Sequence, residues 1–276
     1  MCKVPLNRIL ITGITGFLGS NLAASFVSQR INVVGFKRAA SSVNRLTTIL
    51  DKITLVDLDK IDLDAFFESQ GPFDAIIHTA TCYGRDNETE EMILDANLVF
   101  PLSIMSKGLA KNTRLFLNCD SFLDRDVNSY SLSKKQFLEW GHRYAERASF
   151  SFVNIKLEHF FGPEDSHSKF TSMVIRKCMA DHPSLDLTDG SQFRDFIYID
   201  DVVSAFSYIL RSNQSSLEGS FSEFEVGRGS AISVKEFVLS VHELTASKTA
   251  LNFGSIPIRG TDSLIYQANI SKLETL

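Results

Sequence analysis

Arg8-Ile9-Leu10-Ile11-Thr12-Gly13-Ile14-Thr15-Gly16-Phe17-Leu18-Gly19 is the stretch whose reading decides the fold. Its first five residues are mostly apolar and β-branched, which reads as a strand, and the spacing of Leu22, Ala23, Phe26 and Val27 reads as the core face of a helix that follows at once. A GxxGxxG spacing lies between them. In a strand–loop–helix unit the glycines allow a tight turn, close approach of a pyrophosphate to the backbone, and close packing of helix on strand. The helix N-terminus adds free N–H groups for the anion. Gly13, Thr15, Gly16, Phe17, Leu18 and Gly19 are therefore candidate dinucleotide-binding residues.

Downstream, short β-branched runs at 31–36, 53–56, 73–78 and 114–118 alternate with amphipathic stretches, the pattern of successive βα units. Longer helices are expected over about 88–111 and 129–148. After 152–155 the rhythm breaks at Gly162-Pro163. The expected architecture is α/β: a Rossmann-type doubly wound parallel sheet over 1–160, and a smaller mixed α/β lobe over 161–276, some of whose segments return to the first domain. The two long helices flanking the fifth strand carry enough apolar residues to suggest a homodimer.

Composition narrows the partners. The 276 residues carry 28 Lys plus Arg against 33 Asp plus Glu, so no overall basic field exists to hold nucleic acid. Cysteines at 2, 82, 119 and 178 form no CxxC pair and have no histidines at ligand spacing, which argues against disulfides and a metal site. The start has no apolar run before the first strand, and the later apolar stretches read as too short to cross a bilayer. A cytoplasmic protein without an anchor is expected.

The second strand ends in Lys37-Arg38, where NAD-binding units usually place an acid for the ribose 2′-hydroxyl; two cations suit a 2′-phosphate. NADP(H) is thus the preferred cofactor and NAD(H) the alternative. The bland reading is a surface strand capped by two basic residues. Further on, Tyr130-Ser131-Leu132-Ser133-Lys134 sets a phenol and an ammonium one turn apart on the same helix face. A phenol titrates near ~10, so a neighbouring cation that favours phenolate would fit it for proton transfer near neutrality. Each motif alone is weak.

Together, the order strand, glycine loop, fifth strand and YxxxK helix resembles the short-chain dehydrogenases/reductases across nearly the whole chain. His78-Thr79-Ala80, Glu158-His159-Phe160-Phe161-Gly162-Pro163 and Arg194-Asp195-Phe196-Ile197-Tyr198-Ile199-Asp200-Asp201 are similar to the extended branch, which acts on nucleotide-activated sugars. Phe116-Leu117-Asn118-Cys119-Asp120-Ser121-Phe122 and Leu157-Glu158-His159 resemble, more narrowly, the CDP-abequose synthase-like reductases of 4-keto-6-deoxy sugars.

The resemblance implies roles. Tyr130 would be the proton donor and Lys134 would hold the nicotinamide ribose. Thr79 and Ala80 would touch the cofactor, Asp57 and Leu58 its adenine, and Thr81, His159, Arg194 and Arg259 the nucleotide sugar, with the arginines on the diphosphate. The alternative readings are turn chemistry for Asp57, surface ion pairs for the arginines, and the N-cap region of the helix that follows for Asp200 and Asp201.

Three departures from the family pattern stand out. Cys119 occupies the place of the catalytic Ser or Thr, with Ser121 two residues on and on the same side of an extended segment, so either is a candidate to hold the keto oxygen. The connection from Ser121 to Tyr130 is short. The chain ends at Leu273-Glu274-Thr275-Leu276, where family members continue into a Gly-Trp turn and a last helix, so lobe closure is expected to suffer. The implied activity is NADPH-dependent reduction at C4 of a CDP- or dTDP-linked 4-keto-6-deoxyhexose. The alternatives are a 4-epimerase or 4,6-dehydratase that retains NAD, and a dinucleotide-binding protein without turnover.

Overall fold

A computed structural model describes residues 6–85, 87–147, 150–157, 159–213, 219–258 and 263–276. Along the chain, β1 (Arg8–Thr12) leads into α1 (Phe17–Ser28), then β2 (Asn32–Lys37), β3 (Ile53–Asp57), α2 (Leu63–Gln70) and β4 (Ala75–His78). The helix α3 (Glu90–Leu94) runs through a π-helical segment, Asp95–Val99, into α4 (Phe100–Ala110). There follow β5 (Leu115–Ser121), α5 (Ser129–Arg147), β6 (Ser151–Leu157), β7 (His159–Phe161), α6 (Phe170–Met179), β8 (Ser184–Leu187), β9 (Phe193–Arg194) and β10 (Phe196–Tyr198). The last elements are α7 (Ile199–Asn213), β11 (Phe221–Val226), β12 (Ile232–Ser233), α8 (Val234–Leu244), β13 (Ala250–Phe253) and β14 (Ile265–Tyr266).

Seven strands form one sheet in the order β11-β6-β5-β4-β1-β2-β3. The strand β1 pairs in parallel with both β2 and β4, so the winding reverses between β1 and β4. In open α/β sheets the crevice at the carboxyl ends of the strands flanking such a reversal is where ligands bind. This is the Rossmann-type sheet expected from the glycine loop. Smaller sheets pair β10 with β7, β13 with β8, and β12 and β14 with β9.

Backbone contacts divide the chain into two units, residues 1–156 with 203–224 and 272–276, and residues 157–202 with 225–271. The first has an aromatic core: Phe36, Phe66, Phe67, Phe73, Phe116, Phe137, Phe150 and Phe152 are all buried, and Phe116 stacks on Phe152 at 5.7 Å between centroids. The second is built on Val174, Leu185, Leu187, Phe196, Phe237 and Val238, with Phe196 and Phe237 stacked at 4.2 Å. Stacked and edge-on rings of this kind add to simple area burial.

One expectation needs correction. The continuous helix Glu90–Ala110 is, by length and composition, apolar enough to cross a membrane, contrary to the reading that no stretch was. Its Ile93, Asn97, Ile104, Met105 and Gly108 are buried, and Ile104 and Met105 belong to the aromatic core of the first unit, as in a core helix of a sheet protein. Asp200 and Asp201 lie in the first turn of α7, which begins at Ile199, within the N-cap region expected of them, and favour the helix through its dipole.

Candidate active site

The glycine loop is shaped by contacts that a side chain would block. Gly13 has φ +70°, and a Cβ there would lie 2.6 Å from the Ala80 nitrogen; one on Gly19 would lie 2.3 Å from the Gly13 carbonyl oxygen. Gly13 thus admits the chain leaving β4, and Gly19 seats α1 on the loop. At Gly16 only the Gly13 oxygen, at 3.2 Å, would be near, and no side chain caps this end of α1. Gly16 is therefore the position at which a pyrophosphate can approach the backbone, as a dinucleotide requires.

The ends of β1 and β4 are knitted together beside that loop. Thr79 Oγ1 donates to the Thr12 carbonyl at 2.7 Å, and Thr12 Oγ1 and His78 Nδ1 share a bond of 2.7 Å. His78 lies wholly buried among Phe100, Phe116 and Phe137, and burial, helped by Lys134, holds its pKa well below the usual imidazole value.

Two residues expected to contact the cofactor meet each other. Lys37 and Asp57 are register partners on β2 and β3 and form an ion pair, which Lys60 extends at 3.0 Å. Hydrogen bonds from Lys37 and then Lys60 hold the Asp57 carboxyl below the ordinary carboxylate range. Leu58 packs on the core, and Arg38 stands exposed at the end of β2. Arg45, which the sequence did not single out, reaches the Thr15 carbonyl at 3.5 Å.

The strand β5 runs three residues further than expected, to Ser121, so Cys119 and Ser121 fall on one face and Asp120 on the other. Asp120 is buried and saturated: its Oδ2 accepts from Lys135 Nζ at 2.9 Å and from Asn154 Nδ2 at 3.1 Å, and its Oδ1 from the Ser121 N–H at 2.7 Å. Lys135 Nζ also donates to the Ser121 carbonyl at 2.9 Å. The end of the strand is thereby fixed, while the Ser121 hydroxyl is buried without a full hydrogen bond and faces the phenol of Tyr130.

Electrostatics here differ from the simple expectation. Burial raises the Tyr130 pKa, Tyr83 and Asp120 add to the rise, and the Ser121 hydroxyl and Arg85 oppose it. Arg85 is a cation that acts against the rise. Lys134 is 2 % exposed and makes no hydrogen bond among the described residues, and burial lowers its pKa against the pull of Asp120 and Cys119. Burial pushes the Cys119 thiol up to about 12, so it is neither a thiolate nor a strong donor.

A residue absent from the sequence reading ties these pieces together. Asn97, in the π-helical segment, accepts from the Cys82 N–H at 2.8 Å and from Thr81 Oγ1 at 3.2 Å, and donates to the Cys82 carbonyl at 2.8 Å and to Ser133 Oγ at 3.0 Å. It joins the loop after β4 to the helix bearing Tyr130 and Lys134. Thr81, expected against substrate, has its hydroxyl engaged there.

The second unit holds a cavity of about 240 Å³, with Phe170, Met173, Phe196 and Val234 as apolar walls and His159, Gln192 and Arg194 as polar ones. His159 is exposed with its ring edge-on to Phe196 at 5.7 Å. Arg194 is buried, its Nη1 donating to the carbonyls of Phe193 and Ser263 at 2.8 and 3.0 Å and its guanidinium lying over Tyr266. No carboxylate pairs with it among the described residues. Its neighbour Asp195 accepts from the backbone of Arg228, Gly229 and Ala268 and is structural. Arg259 lies outside the described residues.

A dinucleotide loop at the sheet's reversal point, beside a Ser–Tyr–Lys set on β5 and α5, is matched by similarity. A model described as the NAD dependent epimerase/dehydratase family covers residues 9–227. The chain belongs to the NAD dependent epimerase/dehydratase family. It is accordingly an NAD(P)-dependent enzyme of the oxidoreductase type. Among curated relatives of this family it is 32% identical over 276 residues to CDP-abequose synthase of Salmonella muenchen, covering 98% of this chain and 91% of that one. The corresponding enzyme of Salmonella typhimurium is 31% identical, with 97% and 91% covered. Among solved structures, the UDP-glucose 4-epimerase of Thermotoga maritima superposes with a TM-score of 0.84 at 16% identity, over 97% of this chain and 91% of that one. MoeE5 in complex with UDP-glucose and NAD gives 0.81 at 22%, over 98% and 92%. At such identities the structural likeness speaks to the family's fold alone.

Proposed function

We propose that the enzyme reduces the C4 keto group of a CDP- or dTDP-linked 4-keto-6-deoxyhexose to the NDP-6-deoxyhexose, using NADPH. The observation that carries this reading is the state of the three groups at the end of β5. Tyr130 is held protonated by burial, the Ser121 hydroxyl beside it is otherwise unpartnered, and Asp120 is saturated by Lys135, Asn154 and the backbone.

The loop from Gly13 to Gly19 fits a dinucleotide, and Lys134, buried and making no hydrogen bond among the described residues, suits the ribose hydroxyls of the nicotinamide half. When bound, the reduced nicotinamide supplies the hydride. Ser121 holds the keto oxygen by its O–H as negative charge grows there, and Tyr130 gives that oxygen its proton. The phenolate left behind lies in reach of the fields of Arg85 and the α5 lysines, and solvent returns the proton. A protonated acid is what the reductive direction requires. Elimination would need a free carboxylic acid at the end of β5, and Asp120 is committed elsewhere.

Arg194 serves as the fork for the diphosphate, and the cavity it lines takes the nucleoside. Arg38 reads the 2′-phosphate of NADP(H), with Lys37 partly neutralised by Asp57. Exposed Met92, Leu94 and Val99 on the Glu90–Ala110 helix and Leu132 and Trp140 on α5 fit a homodimer through those helices.

Purified enzyme with NADPH and freshly generated CDP- and dTDP-4-keto-6-deoxyglucose tests the reading, with product mass as the readout. Gain of two hydrogens with stoichiometric loss of NADPH is expected. An isomer of unchanged mass, with NAD retained on the protein, would instead make it an epimerase.

A further inference from the structure

The turn Tyr83-Gly84-Arg85, three residues past Ala80, has no role in the reading so far. Gly84 has φ +67°, and a Cβ there would lie 2.7 Å from Cδ1 of Ile93, the buried anchor of α3. Only glycine turns the chain this tightly against that helix. Just before it, Asn97 grips both the N–H and the carbonyl of Cys82, so the turn starts from a fixed point. The result is a built arrangement: the Tyr83 ring lies 5.1 Å from that of Tyr130, inclined by 42°, and the Arg85 guanidinium lies 4.9 Å from the Tyr83 centroid. Tyr83 nevertheless remains 42% exposed beside the Tyr130 ring.

We propose that Tyr83 and Arg85 form the substrate wall next to the reacting carbon, Tyr83 packing against the apolar ring carbons of the 4-keto sugar beside C4 and Arg85 holding Tyr83 in place. The proposal rests on the reductase reading and extends it to residues that select the sugar. Aromatic faces recognise the C–H side of a pyranose because that side is apolar while its hydroxyls point outward. The wall also bears on proton transfer. Among the described residues, Tyr130 feels Asp120 and Ser121 from β5 and Tyr83 and Arg85 from the turn. Of these, Arg85 opposes and Tyr83 reinforces the rise in its pKa.

The test uses full-length Tyr83→Ala, Tyr83→Phe and Arg85→Met beside wild type. Three quantities are followed: KM and kcat with the 4-keto sugar, NADPH affinity by nicotinamide fluorescence, and calorimetric binding of the reduced NDP-6-deoxyhexose. Tyr83→Ala is expected to raise KM and weaken product binding about tenfold, the size of one lost aromatic contact, with NADPH affinity unmoved. Tyr83→Phe should recover most of that loss. Arg85→Met should give a smaller rise in KM and move the pH limb that reports Tyr130 to higher pH. Unchanged KM and product affinity in Tyr83→Ala would overturn the wall, and so would a parallel fall in NADPH affinity, which signals a merely structural role. A wild type that binds the nucleotide sugar but does not turn it over would sink the reductase reading while the calorimetry still judges the wall. One that does neither removes both.

Discussion

Ser121 and Cys119 share one face of β5, and of the two only Ser121 carries a hydroxyl, whose one partner among the described residues is the Tyr130 phenol it faces. The sequence reading could not choose between them, because strand alternation gives them the same direction and burial is invisible in a one-dimensional pattern. If Ser121 holds the developing alkoxide, Ser121→Ala should lower kcat by about a hundredfold, the usual effect of losing one such donor. Cys119→Ala should change kcat only a few-fold, and Cys119, with its thiol pKa near 12, should resist iodoacetamide in the folded enzyme. A large kcat loss in Cys119→Ala alone would reverse the assignment. Tyr130 and Lys134 were legible from their spacing. The sign of the shift on Tyr130 was not, since it arises from burial, with Tyr83, 47 positions earlier in the chain, adding to it.

At the level of elements, the βα rhythm and the glycine loop were readable because both are local, whereas the tie made by Asn97 was not. It depends on a π-helical segment that turns one polar side chain into the core, and its partners, Thr81, Cys82 and Ser133, come from two other stretches. The available signal was a lone amide on the buried face of an apolar helix. Asn97→Ala leaves the Cys82 backbone and Ser133 without their partner in a dry interior, which should cost about 2–4 kcal/mol in chemical denaturation. Loss well under 1 kcal/mol would mean that water replaces the amide. The ion pair of Lys37 with Asp57 was missed for a similar reason: register between β2 and β3, not sequence proximity, brings them opposite. Asp57→Ala should free Lys37 and raise the preference for NADPH over NADH, measured as a ratio of affinities. An unchanged ratio would leave Arg38 as the sole reader of the 2′-phosphate.

Across the whole molecule, a buried neutral histidine links stability to pH. His78 is enclosed by phenylalanines and its folded pKa lies well below that of a free imidazole, near ~6.5. The unfolded chain therefore binds a proton at this site first as pH falls. The stabilisation is complete above about 6.5 and is lost progressively as pH drops from there toward the folded pKa. Wild type should thus lose thermal stability between roughly pH 6.5 and 5, and His78→Phe, which cannot titrate, should lose less over that interval. Equal slopes in the two proteins would show that other groups govern the acid limb.

In the proposed reduction, hydride is delivered once and the cofactor leaves oxidised. A single turnover of CDP-4-keto-6-deoxyglucose with NADPH deuterated at the transferring position of the nicotinamide, read by proton NMR of the sugar, tests it most directly. The reductase mechanism predicts one deuterium at C4 of the product for each NADPH consumed, and no label transfer by Tyr130→Phe. A sugar inverted at C4 without deuterium, and without loss of NADPH, would contradict it.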